Sequence, residues 1–318
     1  MDAGGEFDFG DFDFESARRL PPQLRFGASS WKYPGWKGSV YRAAYRTKKA
    51  FDAECLAEYG RFPWFRCVGL DHTFYGPATA AQLDGYAAQL PPTTPWISKA
   101  WEHLTSARFP RSPRYGGRAG ERNPSFLDAH VFCEQVLPAY DRDGIRERTG
   151  PFVFQLAPTA ADGDVPGLVA ELERFLGALP RSFRYAVEVR DPRVLQRRYF
   201  EMLDATGAAH CFNHWTRMPP LADQARAARD AGFAPEFLVC RLLTPLGVAY
   251  GKSVERFAPF DRLRSVETRM RREFVDLARA GIERDVPVYA LVNNRVEGHA
   301  PGTIDALGRA VLAASAQT

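Results

Sequence analysis

Eight short apolar runs of strand character alternate along this chain with eight segments of helical period, and that alternation constrains the fold more than any other feature. The runs lie near residues 24–28, 65–71, 95–100, 152–156, 185–192, 208–213, 236–242 and 286–292. Helices are expected behind them, near 47–59, 79–89, 125–140, 165–179, 194–206, 221–231, 260–284 and 302–314. Strands separated by helices imply crossover connections and hence a parallel sheet. Eight such units fit a closed (β/α)8 barrel of TIM type, and an open doubly wound sheet is the competing architecture. No short repeat at a fixed period points to a solenoid.

The fifth run, YAVEVRDP, shows what the strands carry. Alternation places Tyr185, Val187 and Val189 on one side and Glu188 and Arg190 on the other. Charged groups on an otherwise apolar strand fit the carboxyl-terminal mouth of a barrel, where inward residues meet a ligand.

The chain of 318 residues, 45% hydrophobic, suits one barrel with extensions. A net charge of +4 is too small to argue by itself for a nucleic-acid partner. No apolar run approaches a membrane span and no start resembles a signal peptide. Five cysteines without CxxC spacing point to a reducing cytoplasm. The absence of GxGxxG, Walker and GxSxG motifs lowers the expectation of a dinucleotide cofactor, a P-loop ATPase or a serine hydrolase. The cofactor stays open.

Polar residues gather where the predicted strands end. Glu188 is the candidate acid–base group, with Arg190 beside it and Asp71 as a second carboxylate. Two carboxylates on opposite walls would also allow glycosidase-like chemistry, a weaker reading. Candidate ligand-binding residues are Ser30, Trp31, Tyr33, Thr73, Tyr75 and Lys99, together with Gln155, Arg241, Asn293, Asn294 and His299. Buried polar groups must satisfy one another, hold water or hold a ligand. A divalent metal held among Asp71, His72, His103, Glu188, His214 and His299 is not favoured, because no histidine pair has helix-ligand spacing.

Two segments stand apart. Residues 1–22 are acidic, rich in Phe and Gly, and read as a disordered tail before a barrel over 23–318. An insert near 108–122 carries Arg108, Arg111, Arg114, Arg118 and Arg122 around Tyr115. It reads first as a solvated loop, with contact to phosphates or nucleic acid as the sharper alternative.

The ordered segments FGASSWKYPGWKG, LDHTFYGP, FQLAP, YAVEVRDP and VNNRVEGHAP resemble those of the YecE-like family, domain of unknown function 72. The resemblance implies a TIM-type barrel and no assigned activity. It matches Ser30, Trp31, Tyr33, Trp36, Thr73, Phe74 and Tyr75, then Gln155, Glu188, Arg190, Asn293, Asn294, Gly298 and His299. The chain departs from the family pattern at Gly69, where a Glu is usual, and after Arg241, where RLLTPLG replaces an RLHG-like run.

The expectation is therefore a cytoplasmic barrel enzyme, hydrolase- or lyase-like, acting on a small polar or anionic ligand. The alternatives are a nucleic-acid-binding barrel of apurinic-endonuclease-like shape and a non-catalytic ligand-binding protein.

Overall fold

The structure, a computed structural model, describes residues 12–316. Its eight strands are β1 (Leu24–Ala28), β2 (Val68–Leu70), β3 (Trp96–Lys99), β4 (Thr149–Gln155), β5 (Tyr185–Glu188), β6 (Ala209–His214), β7 (Leu238–Leu242) and β8 (Val288–Val292). They form one parallel sheet in the order β1-β8-β7-β6-β5-β4-β3-β2, the layout of a TIM-type barrel.

The helices are α1 (Phe14–Arg19), α2 (Lys48–Arg61), α3 (Ala80–Gln89), α4 (Glu102–Thr105), α5 (Ala129–Gln135) and α6 (Val165–Gly177). They continue as α7 (Arg197–Thr206), α8 (Leu221–Asp230), α9 (Tyr250–Phe257), α10 (Thr268–Glu283) and α11 (Ala300–Ser315). Local chemistry sets their ends. Thr79 and Gln82 close a capping box on α3, and Gly207 leaves α7 through the left-handed region at φ 67°.

Strand parity divides the apolar residues into two clusters. One face packs against the helices, with Phe26, Val187 and Leu242 among its members. The other face fills the lumen with Cys67, Ile97, Val153, Ala186, Ala209, Cys211, Val239 and Leu291, joined by Phe237 and Tyr289.

The barrel closes between β1 and β2 by an unusual seam. Arg66 and Cys67 donate backbone N–H bonds to Phe26 O at 2.7 and 3.0 Å. One turn further on, the buried Tyr59 hydroxyl of α2 sits between the strands. It accepts from Ala28 N and donates to Cys67 O, both at 2.8 Å. A Cβ at Gly27 would lie 2.1 Å from Cys67 O, and one at Gly69 would lie 2.8 Å from Ser29 Cα. Both positions therefore need glycine for close approach, not for an unusual φ.

Several elements differ from the sequence-based expectation for identifiable reasons. Strand β2 is shorter at both ends: it starts at Val68, and Asp71–Phe74 turns into a 3-10 helix. The predicted helix at 125–140 breaks after Gln135 into a turn that contains Pro138, which has no N–H to donate. The loop after β7 holds the unforeseen α9.

The segment read as a tail also differs over its last residues, while residues 1–11 lie outside those described. Asp13 caps α1 through Ser16 N at 2.9 Å and donates its own N–H to Asp305 of α11 at 3.1 Å. The rings of Phe12 and Phe14 meet Phe62 edge-on at 5.1 and 5.5 Å. The Arg66 guanidinium donates to the carbonyls of Ala17, Leu20 and Pro21, so α1 is tied to the barrel floor.

Candidate functional site at the barrel mouth

The parity that builds the lumen also selects the groups at its top. Lys99 follows Ile97 on β3, Gln155 follows Val153 on β4, and Glu188 follows Ala186 on β5. Asn213, Arg241 and Asn293 follow Cys211, Val239 and Leu291 in the same way. Each is two residues beyond a lumen residue and so shares its face. The result is a polar layer over an apolar plug.

Ion pairs join this layer. Arg241, 2% exposed, donates from Nη1 to Glu188 Oε2 at 2.5 Å and from Nη2 to both oxygens of Asp71 at 2.6 and 2.8 Å. Arg190 forms an ion pair with Glu188 Oε1, without hydrogen-bond geometry, and donates to Gln155 Oε1 at 2.9 Å. Its guanidinium stacks 4.3 Å from the Trp215 ring. Burial by itself would push the Glu188 carboxyl up. The guanidiniums of Arg190 and Arg241, with the charge of Lys99, outweigh that and hold it down at about 2. Glu188 is an ionised anchor for two arginines.

Lys99 behaves differently. Among the described residues its Nζ has no hydrogen-bond partner, and it rests 3.6 Å from the centroid of Phe74. Burial pulls its amine down to about 8. The Arg241 and Arg190 charges act in the same direction, and Asp71 and Glu188 oppose them. The Lys99 carbonyl accepts from the Thr73 hydroxyl, which also reaches Leu70 O, each at 2.6 Å. That hydroxyl ties the β2 turn to β3.

Above the layer lies a cavity of about 500 Å³. Of the sequence-predicted residues, Ser30, Tyr33, Asp71, Tyr75, Lys99, Gln155, Arg190, Arg241 and Asn293 line it. Glu188 lies beneath, fully buried. The structure does not bring Trp31, Thr73, Asn294 or His299 to the cavity wall. Trp31 is 2% exposed and packs edge-on against His72 and Tyr86. Asn294 Oδ1 accepts from Trp36 Nε1 at 3.0 Å and Ala300 N at 2.7 Å, and His299 is the cap of α11. Trp215, Thr244 and Arg295 are lining residues that sequence reasoning missed. Trp215 directly follows the polar pair Asn213 and His214 at the end of β6, which was the available signal.

Among the described residues no three His, Cys, Asp or Glu side chains form a group able to hold a metal ion. His214 is buried on the outer face of β6, where its ring is pushed down to about 4 by burial, against the charges of Glu273 and Glu297. It is not part of the mouth. No helix among the described residues is long and apolar enough to cross a membrane.

The arginine insert folds back on itself. Arg108 and Arg122 form an antiparallel bridge, and Pro113–Arg118 is a 3-10 segment. Arg114 and the Tyr115 hydroxyl both bind the buried Glu102 carboxylate, and Arg118 stacks 4.0 Å from Phe109. Arg114 also lies 5.0 Å from the ring of Tyr75, at the cavity edge.

A parallel eight-stranded barrel with a polar site at its strand carboxyl ends places this chain in the TIM-barrel class. Two solved structures share the architecture. A DUF72 family protein from Enterococcus faecalis has a TM-score of 0.59 at 13% identity, covering 91% of this chain and 95% of that one. A DUF72 family protein from Thermotoga maritima has a TM-score of 0.59 at 16% identity, covering 91% and 99%. At such identities the likeness concerns the fold alone. The family model described as "Protein of unknown function DUF72" matches residues 25–318, and the chain belongs to that family. No curated protein matches it.

Proposed function

We propose that this protein is a hydrolase- or lyase-like enzyme that binds a small anionic ligand at the barrel mouth. The charge balance of the cavity carries this reading. Its lining brings Lys99, Arg190, Arg241 and Arg295 together against one carboxylate, Asp71, with Glu188 beneath. Even with both carboxylates ionised, the balance is positive. Arg190 Nε and Arg241 Nε are buried without a hydrogen-bond partner. Unmade bonds of this kind are costly, and a ligand offering acceptors would recover them.

In this reading Glu188 does not move a proton. It holds Arg190 and Arg241 in place, and Lys99 takes the acid–base role because burial pulls its amine down to about 8. Tyr33 and Tyr75 supply walls. Three arginines of the insert are engaged inside the chain, Arg114 with Glu102, Arg118 with Phe109 and Arg108 with Asp162. That favours a small ligand over a nucleic-acid track. The five free cysteines support a reducing cytoplasm.

A thermal-shift survey of sulfate, phosphate and small carboxylates, with chloride at matched ionic strength, tests the proposal. A saturable rise in melting temperature that Arg190→Gln weakens is expected. An equal response to chloride and sulfate contradicts it.

A further inference from the structure

We propose that Lys99 captures a small aldehyde or ketone covalently, so that the ligand at the mouth is a carbonyl compound carrying an anionic group. This rests on the anion-binding reading above and adds the reacting atom to it.

Three observations converge. The first is the choice of residue. Of the 42 basic residues in the chain only six are lysines, and five of those, Lys32, Lys37, Lys48, Lys49 and Lys252, are exposed. The sixth is Lys99, which lines the same cavity as Arg190 and Arg241. A guanidinium would have supplied the same positive charge and cannot lose its proton, whereas an amine becomes a nucleophile when it does.

The second is the geometry of the amine. Its Nζ makes no hydrogen bond among the described residues, faces the Phe74 ring and lines the cavity, so its lone pair is not committed elsewhere. The third is its burial. Burial pulls the amine down to about 8; the charges of Arg241 and Arg190 act in the same direction, and those of Asp71 and Glu188 oppose them. At pH 7 the uncharged fraction is then on the order of a hundredfold above that of an exposed lysine.

The step balances without an oxidant or reductant. The amine nitrogen forms a bond to the carbonyl carbon and gives up one of its two protons, the carbonyl oxygen taking one in exchange through water, to yield a neutral carbinolamine. One further proton, from solvent, releases that oxygen as water, breaking the C–O bond and leaving an iminium that keeps the second amine proton. The anionic group of the substrate would meet Arg190 and Arg241. The iminium then draws electrons from the neighbouring carbon, which suits cleavage or proton removal there and is in keeping with a lyase.

Pyridoxal 5′-phosphate, an aldehyde with a phosphate, is the probe. The full chain is incubated with it at pH 7, reduced with borohydride and mapped by peptide mass spectrometry. Expected is an adduct on Lys99 at least tenfold ahead of any exposed lysine, suppressed by excess sulfate. Lys99→Arg should lose that adduct while the exposed lysines keep their labelling, since a guanidinium does not form the imine. Adducts confined to the exposed lysines, with sulfate still bound, would overturn covalent capture and leave the anion site standing. Neither an adduct nor sulfate binding would overturn both.

Discussion

The Glu188 carboxylate on β5 and the Arg241 guanidinium on β7 meet at 2.5 Å at the top of the lumen. Both are essentially closed to solvent. Arg241 continues to Asp71 past the end of β2, so one side chain links three walls of the barrel. Buried ions are costly to desolvate, and this pairing offsets the cost only while every partner is present.

Glu188→Gln therefore leaves Arg190 and Arg241 with a neutral neighbour in place of a carboxylate. A loss of about 3–5 kcal/mol is expected, the range for a broken buried pair, read as a lowered urea midpoint. Asp71→Asn should cost less, because Asp71 is 30% exposed. Equal midpoints for wild type and Glu188→Gln would contradict the anchoring role.

The same carboxylate has a signed pH effect. Its folded value, about 2, lies below the ordinary 4.5, so its contribution is fully present above pH 4.5. It is lost as the pH falls from 4.5 through about 2. Across that window the stability difference between wild type and Glu188→Gln should shrink. A constant difference would mean that Glu188 is not held ionised.

Lys99 runs in the opposite sense. Its folded value of about 8 lies below the ordinary 10.5, so the unfolded chain binds the extra proton between those limits. Stability should rise with pH between about 8 and 10.5 in wild type relative to Lys99→Met. The charged groups facing it are Asp71, Arg241, Glu188 and Arg190. Parallel urea midpoints for the two proteins would refute a depressed amine.

At the seam, Tyr59→Phe removes both bonds of the bridging hydroxyl and strands Ala28 N and Cys67 O in a buried site. About 1–3 kcal/mol should be lost. Gly69→Glu, which restores the residue usual in the resembled family pattern, should destabilise rather than rescue. Its Cβ would press on the Ser29 backbone, whose Cα lies 2.8 Å away. A Gly69→Glu protein as stable as wild type would show that the seam opens freely.

Much of this was legible in the sequence because parity survives folding. Glu188 and Arg190 on an apolar strand, and polar residues ending the other strands, point to the carboxyl-terminal mouth by parity alone. Parity ends where the strand ends. Trp31 lies in a loop, so its burial against His72 and Tyr86 depended on contacts no spacing encodes. Asn294 and His299 had polar side chains at the right end of the barrel, yet backbone N–H groups near the start of α11 claim them. The Tyr59 bridge was hidden because a helix residue replaces a sheet bond. The balance of Glu188 was equally hidden, since burial and two guanidiniums oppose one another and only geometry decides between them.

Sulfate affinity measured by calorimetry from pH 6.5 to 9.5, in wild type and Lys99→Met, tests the central claim most directly, because sulfate keeps its charge throughout. The account predicts binding that weakens as the pH rises through about 8, and a variant with at least tenfold lower affinity and no such dependence. Affinity that is independent of pH and unchanged by Lys99→Met would contradict an anion site built around this amine.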